Sequence, residues 1–410
     1  MKINIPNMDM SGTRQDFPIL QENSHGKPII YFDNACQSLR PKSVIDAISQ
    51  YYLTSSACSG RSMHHLAAEV THNVDKARTT IAKFLGASRK EEIVFTRNTT
   101  EGINLVSHSI KLQKGDVVLI TDKEHNSNLI PWQTLAQKQG VVLRLVPSHE
   151  DNTFDMETFE KLLDKGVKLV SFGYTSNLDG VSLPAAEIIK KAHQNSSLVL
   201  LDAAQAAPHR QLNLKASDVD FLALSGHKML GPSGTGVLYG KYQHLEELDP
   251  FLVGGDTVQS STYTSCQFLP PPEKFEAGLQ DYAGIIGLGA AVNYLQAVSF
   301  DVIQKQELLL NQFISDRIKE IPGLKLIGPE DPGLRGGIIS FYIDKIDSHR
   351  IALMLDQMAG ILVRSGQHCV HSWFNAHHIK GSVRASLYFY NTQAEADLFV
   401  NSLIKIRKVL

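Results

Sequence analysis

Between residues 92 and 226 the chain alternates short continuous apolar runs with amphipathic stretches. That alternation restricts its fold more than any other feature. The runs are EIVFT (92–96), VVLIT (117–121), VVLRLVP (141–147), KLVSFGY (168–174), LVLLDAA (198–204) and DFLALSG (220–226). They are short and rich in Val, Ile, Leu and Phe, which predicts strands. TTEGINLVSHSI (99–110), WQTLAQKQ (132–139), DMETFEKLLDK (155–165) and PAAEIIKKAHQ (184–194) carry helical spacing between them. A strand that is apolar throughout must be covered on both faces, and the intervening helices supply that cover. The pattern therefore predicts an α/β fold with a largely parallel sheet. In such sheets ligands sit beyond the carboxyl ends of the strands, so chemistry is sought there.

The flanks read differently. Residues 1–28 form a polar lead-in with an apolar knot, DFPIL. YFDNA (31–35) is strand-like, a helix is expected from Pro41 to about Leu53, and SSACSGRS (55–62) reads as a loop. After Leu238 the alternation stops, and 250–282 is rich in Gly, Ser, Thr and Pro. A long helical pattern then starts near Tyr282 and leads towards GGIISFYI and HRIALMLDQM. The expected division is an N-terminal segment over 1–30 packing with a small domain, a large domain over 31–290 and a small C-terminal domain over 291–410. A chain of 410 residues has ample core for this.

The net charge of −2 excludes broad electrostatic binding to nucleic acid or an anionic membrane. No apolar run approaches the roughly 18 residues of a membrane span. The start, MKINIPNMDMSGTRQDF, lacks the layout of a signal peptide. The four cysteines, Cys36, Cys58, Cys266 and Cys369, are too few and too scattered for a disulfide framework. A reducing compartment, most simply the cytoplasm, is expected.

At the strand ends, Asp202 follows LVLL and Lys228 follows DFLALSGH. Taken singly, Asp202 reads as a helix cap and Lys228 as a surface residue. Taken together, they describe a pyridoxal phosphate site. A lysine amine can form a Schiff base with the cofactor, and a carboxylate one strand away can hold the pyridinium charged. Thr99 and Thr100 open a helix after EIVFT, where backbone N–H groups and the helix dipole favour a phosphate. Ser225 and His227 flank Gly226 beside the lysine and could complete the cradle. GPSGTG (231–236) lacks the spacing of a phosphate loop and reads as a turn. His125, in EHNSN after VVLIT, could lie over the ring or move protons.

Cys369 lies between His368 and His371 in VRSGQHCVHSWF, a polar setting in which a thiolate can act. HCVH with His377 and His378 could supply zinc ligands, but the spacing matches no standard zinc signature. Arg384 follows 15 residues later in VRASLYFYN. Its guanidinium suits an amino-acid carboxylate, with a structural salt bridge as the alternative.

These segments together resemble the class V aminotransferase family and, within it, the cysteine desulfurases and related selenocysteine lyases. The likeness spans DFPIL to VRASLYFYNT and is carried by TTEGIN, EHNSNLIPWQ, SNLDG, LDAAQ, SGHKMLGPSGTGVLYG, FEAG and RSGQHC. It implies the pyridoxal-phosphate-dependent fold type I, with a mostly parallel seven-stranded sheet and a smaller α/β C-terminal domain. By position, Lys228 matches the Schiff-base lysine and Asp202 the carboxylate on the pyridine nitrogen. Gln205 and Asn177 match contacts to the ring oxygen or substrate region, and His125 matches the histidine stacked on the ring. Thr100, Ser225 and His227 match phosphate ligands, beside Thr99 at the same helix start. Cys369 matches the sulfur-accepting cysteine, Arg384 the carboxylate-binding arginine and Arg364 a second active-site arginine. Asn34 falls in the substrate region, and no metal is implied.

Three positions depart from the family pattern. Leu279 stands where relatives often carry a threonine that reaches a partner subunit's phosphate. Gly60 precedes Arg61 where many have His. Cys36 replaces a small apolar residue near the substrate end. The resemblance further implies a homodimer. The expected reaction converts L-cysteine to L-alanine with a persulfide left on Cys369. The sulfur then passes to an acceptor protein for iron–sulfur cluster assembly or other sulfur transfer, and the short stretch after Cys369 fits a dedicated acceptor. Selenocysteine lyase activity, another class V lyase or epimerase reaction, or a catalytically silent partner-binding role are the alternatives.

Overall fold

The computed structural model describes residues 11–410. Its main sheet has seven strands: β1 (Ile93–Thr96), β2 (Val117–Thr121), β3 (Val142–Val146), β4 (Val167–Gly173), β5 (Leu198–Asp202), β6 (Phe221–Ser225) and β7 (Gly236–Gly240). Their order across the sheet is β1-β7-β6-β5-β4-β2-β3. Only β7 runs against its neighbours, β1 and β6. Because it opposes both, β1 and β6 point the same way as β2 to β5, and six carboxyl ends share one rim.

The sheet is buried on both faces, as the apolar runs require. Val117, Leu119, Val199 and Leu201 face one core, while Val118, Ile120, Leu169 and Leu200 face the other. Gly236 is needed where it lies, since a Cβ there would meet the Asn98 backbone at 2.6 Å. That close approach brings β7 against the start of the helix Thr99–Ser109.

Helix His65–Leu85 went unread in the sequence, although it supplies Val70, Val74, Ile81 and Leu85 to the first core. Helix Tyr282–Val298 packs against it and against Lys42–Thr54. Gly287 and Gly289 of Tyr282–Val298 approach Ile48 and Ala77 so closely that a Cβ would stand 2.7 and 3.0 Å from them. A boundary at 290 would cut this helix, and its Val292 and Leu295 still belong to the first core. The crossover comes one helix later. In Phe300–Ile318, Phe300 and Ile303 join the first core, whereas Leu310, Ile314 and Ile318 join a separate one.

That separate core lies against a four-stranded antiparallel sheet of β8 (Leu324–Ile327), β9 (Ile338–Ile343), β10 (Arg364–Gly366) and β11 (Ser382–Ser386), in the order β8-β9-β11-β10. Residues 1–10 of the expected N-terminal segment lie outside the described residues. Further along, Phe17 packs against Tyr294, Phe389 and Tyr390, with ring centroids 4.6–6.0 Å away. Ile30–Tyr31 then pairs in parallel with Ile361–Leu362, and Phe32 packs edge-on to Phe399 at 5.6 Å. The strand expected over 31–35 is therefore only a short pairing followed by a bridge from Asp33 to Ser386. This stitching carries Ala35 and Cys36 from the small sheet to the rim of the large one.

Candidate active site

The carboxyl ends of β1, β2, β4, β5 and β6 face β10 and β11 across a cavity of about 220 Å3. Thr99, Thr100, His125, Asn177, Asp202, Gln205, Ser225, His227, Lys228, Arg364, Cys369 and Arg384 all line it. The fold thus gathers residues spread over nearly 300 positions, because strand ends converge where the helices begin.

Asp202 ends β5, and its Oδ1 accepts the Ala204 N–H at 2.9 Å. Burial raises its pKa, while that N–H and the charge on Lys228 oppose the rise. Lys228 closes a short turn after β6. Burial lowers its pKa against the pull of Asp202, and Arg384 lowers it further, so its amine is biased towards the neutral, nucleophilic form. The side-chain Oε1 of Gln205 is buried without a partner, while its amide donates to the Ala35 carbonyl at 2.6 Å.

The first turn of helix Thr99–Ser109 is built by Asn98, whose side chain caps the Glu101 N–H at 3.0 Å. Thr99 and Ser225 share a hydroxyl hydrogen bond of 2.7 Å, and the Thr99 N–H donates to the same Ser225 oxygen at 2.9 Å. Thr100 pairs with Ser127 at 2.7 Å. Hydroxyls from three rim segments therefore surround a helix N-terminus, a ready anion site.

His125 accepts the Ser127 N–H on Nδ1 at 3.1 Å. Burial, with the charges of Lys228, Arg384 and Arg364, lowers its pKa to about 3. His227 is lowered to about 4 by burial and Lys228. Both rings are neutral near pH 7.

On the opposite wall, Arg384 of β11 donates to the Asn177 carbonyl at 2.8 Å and approaches Asp33 at 3.5 Å, while its Nε is buried without a partner. Arg364 stands directly across the strand pair from it and donates to the Cys36 sulfur at 2.9 Å. Cys369 lies just beyond β10 with φ +59°, next to His368 at +49°. Its carbonyl accepts the Asn126 N–H at 2.8 Å, and the Asn177 side chain donates to the His368 carbonyl at 2.7 Å. These two contacts tie the cysteine loop to the large sheet.

Asn34 is not brought to the cavity. Its side chain is consumed by the Ser386 carbonyl at 2.7 Å, by Asn391 at 3.3 Å and by the Tyr390 hydroxyl. It anchors the segment that delivers Ala35 and Cys36 to the cavity wall. Three of the four histidines weighed as zinc ligands have other partners, His368 through Nε2 and the Ser382 hydroxyl at 2.8 Å. His371 Nδ1 accepts from Asn126 at 2.9 Å, and His377 stacks on Trp373 at 4.0 Å. Among the described residues no group of three or more His, Cys, Asp or Glu side chains gathers as a metal would require.

Sequence reading missed two buried residues of the wall. Glu124 accepts from Thr121 at 2.6 Å, Asn128 at 2.7 Å and the Gly173 N–H at about 3 Å. Burial still raises its pKa to about 7, with Asp202 adding to the effect. Lys123 pairs with buried Asp179 at 3.0 Å. The one signal for Glu124 was its place beside His125 in EHNSN. Nothing local marked Lys123, whose partner is 56 residues away.

Comparison with known proteins agrees with this arrangement. The aminotransferase class-V family profile matches residues 30–399. A probable cysteine desulfurase of Streptomyces coelicolor is 38% identical, over 98% of this chain and 97% of its own. A probable cysteine desulfurase of Synechocystis is 41% identical, over 95% and 94%. Among solved structures, the apo cysteine desulfurase of Thermococcus onnurineus superposes with a TM-score of 0.93 at 36% identity, covering 98% of both chains. With residues from both sheets meeting at one cavity and this likeness over nearly its whole length, the chain belongs to the aminotransferase class-V family.

Proposed function

We propose that this chain is a pyridoxal-phosphate-dependent cysteine desulfurase that converts L-cysteine to L-alanine and leaves a persulfide on Cys369. The observation that carries the reading is that Lys228, Asp202, Cys369 and the two arginines line a single cavity.

The residues present fit the cofactor. Asp202 offers a buried carboxylate with one protein donor, Gln205 offers an unpartnered Oε1, and Thr99, Thr100, Ser225 and His227 surround a helix N-terminus. When bound, pyridoxal phosphate supplies an electron sink for negative charge developing at the substrate Cα. Asp202 would hold the ring nitrogen charged, and Gln205 and Asn177 would face the ring oxygen. His125 would lie against the ring.

Arg384 and Arg364 hold the substrate carboxylate and so fix which bond at Cα is presented. The Lys228 amine takes the Cα proton. The Cys369 thiolate attacks the substrate sulfur. A sulfur–sulfur bond forms, the Cβ–S bond breaks, and its electron pair stays on carbon, where a proton completes the methyl group of alanine. His125, neutral at working pH, passes a proton at the departing sulfur. The net change is cysteine plus thiol to alanine plus persulfide, with no external oxidant.

A sulfur-acceptor protein would then take the persulfide. Support comes from the compact loop after Cys369, where helix His371–Ala376 leads back into β11. The acceptor would serve iron–sulfur cluster assembly or another sulfur-transfer route. A second copy of the chain would cover Tyr52 and Leu53 at the end of helix Lys42–Thr54 and Met63 beyond it, which are 62–100% exposed. No single helix among the described residues is long and apolar enough to cross a membrane. All four cysteines are free, which fits a reducing cytoplasm.

The test is alanine and sulfide release from cofactor-loaded protein given L-cysteine and a reductant. Equal amounts of both are expected, and both should be lost in Cys369→Ala while the cofactor absorbance remains. Full-rate desulfuration by Cys369→Ala would overturn the reading.

A further inference from the structure

The catalytic cavity holds two thiols. Cys36 lines it together with Cys369, Lys228 and both arginines, and its side chain is only partly buried. Cys36 sits on a fixed backbone. Its N–H donates to the Asp33 carbonyl at 3.1 Å, and the preceding Ala35 N–H donates to the Ser386 hydroxyl at 2.9 Å. Arg364 donates Nη1–H to the Cys36 sulfur at 2.9 Å.

Lys228 lies within electrostatic reach of both sulfurs, and Arg384 within reach of Cys36. The Arg364 and Arg384 guanidiniums therefore supply positive charge beside Cys36, and a sulfur must carry negative charge to attack another sulfur. Two further groups at this wall are more than nine-tenths buried and lack partners, the Arg384 Nε and the Gln205 Oε1. Both residues line the same cavity as the two thiols.

We propose that Cys36 is a second sulfur-carrying residue, which takes the terminal sulfur of the Cys369 persulfide inside the cavity. The proposal rests on the reading that Cys369 accepts sulfur from L-cysteine. The Cys36 thiolate attacks the outer sulfur of Cys369–S–SH. A new sulfur–sulfur bond forms on Cys36, the bond to Cys369 breaks, and Cys369 leaves as thiolate. One proton moves between the two groups, and no oxidant or reductant is consumed. The persulfide extends Cys369 by about 2 Å within the cavity that Cys36 also lines. Cys369 is then free for another substrate while the first sulfur is still bound.

The experiment loads holoenzyme with L-cysteine without reductant or acceptor, removes small molecules, and alkylates the protein. Peptide mass spectrometry then locates sulfane sulfur, and cyanolysis counts it. Wild type should carry persulfide on both the Cys36 and Cys369 peptides. Cys36→Ser keeps a hydrogen-bond acceptor for Arg364 but should hold one sulfur fewer per chain, with persulfide on Cys369 alone. Cys369→Ala should carry none on Cys36.

An unmodified Cys36 peptide beside a persulfidated Cys369 would sink the inference and leave the desulfurase reading intact. Persulfide on Cys36 in Cys369→Ala would overturn the exchange route. Absence of both persulfides and of alanine would overturn the desulfurase reading and this inference with it.

Discussion

Arg384 donates Nη1–H to the backbone carbonyl of Asn177 at 2.8 Å, joining the small sheet to the loop after β4. The arginine is 2% exposed, so its geometry is set by the seam between the two sheets rather than by solvent. The docking of the sheets and the proposed binding of the substrate carboxylate therefore share one side chain.

Arg384→Ala should raise KM for L-cysteine by roughly 10- to 100-fold, the loss of a charge-assisted hydrogen bond worth about 1.5–3 kcal/mol. Arg384→Lys should recover only part of this, since an ammonium lacks the planar fork. Steady-state kinetics with both variants checks the expectation. An unchanged KM in Arg384→Ala would remove Arg384 from carboxylate binding.

Gly180 ends the same loop with φ +79°. A Cβ there would stand 1.8 Å from the Arg335 carbonyl oxygen. Backbone cannot yield as a side-chain tip does, so Gly180→Ala should cost at least about 2 kcal/mol. A denaturant titration should show a lower unfolding midpoint, and a wild-type midpoint would contradict the seam described here.

His125, His227 and His368 are buried and held neutral, with pKa values lowered to about 3, 4 and 2 from the ordinary 6.5. In histidine-labelled NMR spectra their signals should not titrate between about pH 5 and 8. The unfolded chain takes up these protons near 6.5, whereas the folded one does so only several units lower. Stability from this source is therefore complete above pH 6.5 and is lost as pH falls below it. A titration midpoint near 6.5 for any of the three would refute its burial as neutral imidazole.

Asp220 lies at the opposite end of the sheet. Burial alone would raise its pKa. Hydrogen bonds from His244, Lys241, His193 and the Val199 N–H outweigh burial and hold it well below the carboxylate range. Its contribution is present above the unfolded value of 3.8 and lost as pH falls below that. Asp220→Asn should be less stable than wild type near pH 7, and the gap should narrow in acid melts below about pH 4. A gap independent of pH would show that packing, not charge, explains the loss.

Much of this protein could be read along the chain. The strands from 93 to 225, the helices between them and the residues at their ends are local signals. Each strand is a continuous apolar run, and Asp202, Lys228 and Thr99 stand where such runs stop. The motifs around Cys369 and Arg384 added the second half of the site. Helix His65–Leu85 escaped because its polar face dilutes the apolar one. The partners of Asn34 were not legible because neither Tyr390 nor Asn391, which occupy its side chain, is near it in sequence.

What the sequence determined by itself is the order of elements and the chemical identity of the groups at the rim. Both follow from side-chain character and local periodicity. Tertiary structure alone decided which groups share a cavity, that Glu124 is buried beneath it, and that Cys36 meets Arg364 across 328 positions. Those relations depend on burial and on contacts between distant segments, and a desolvated group takes its charge state and its partners from neighbours that folding brings to it.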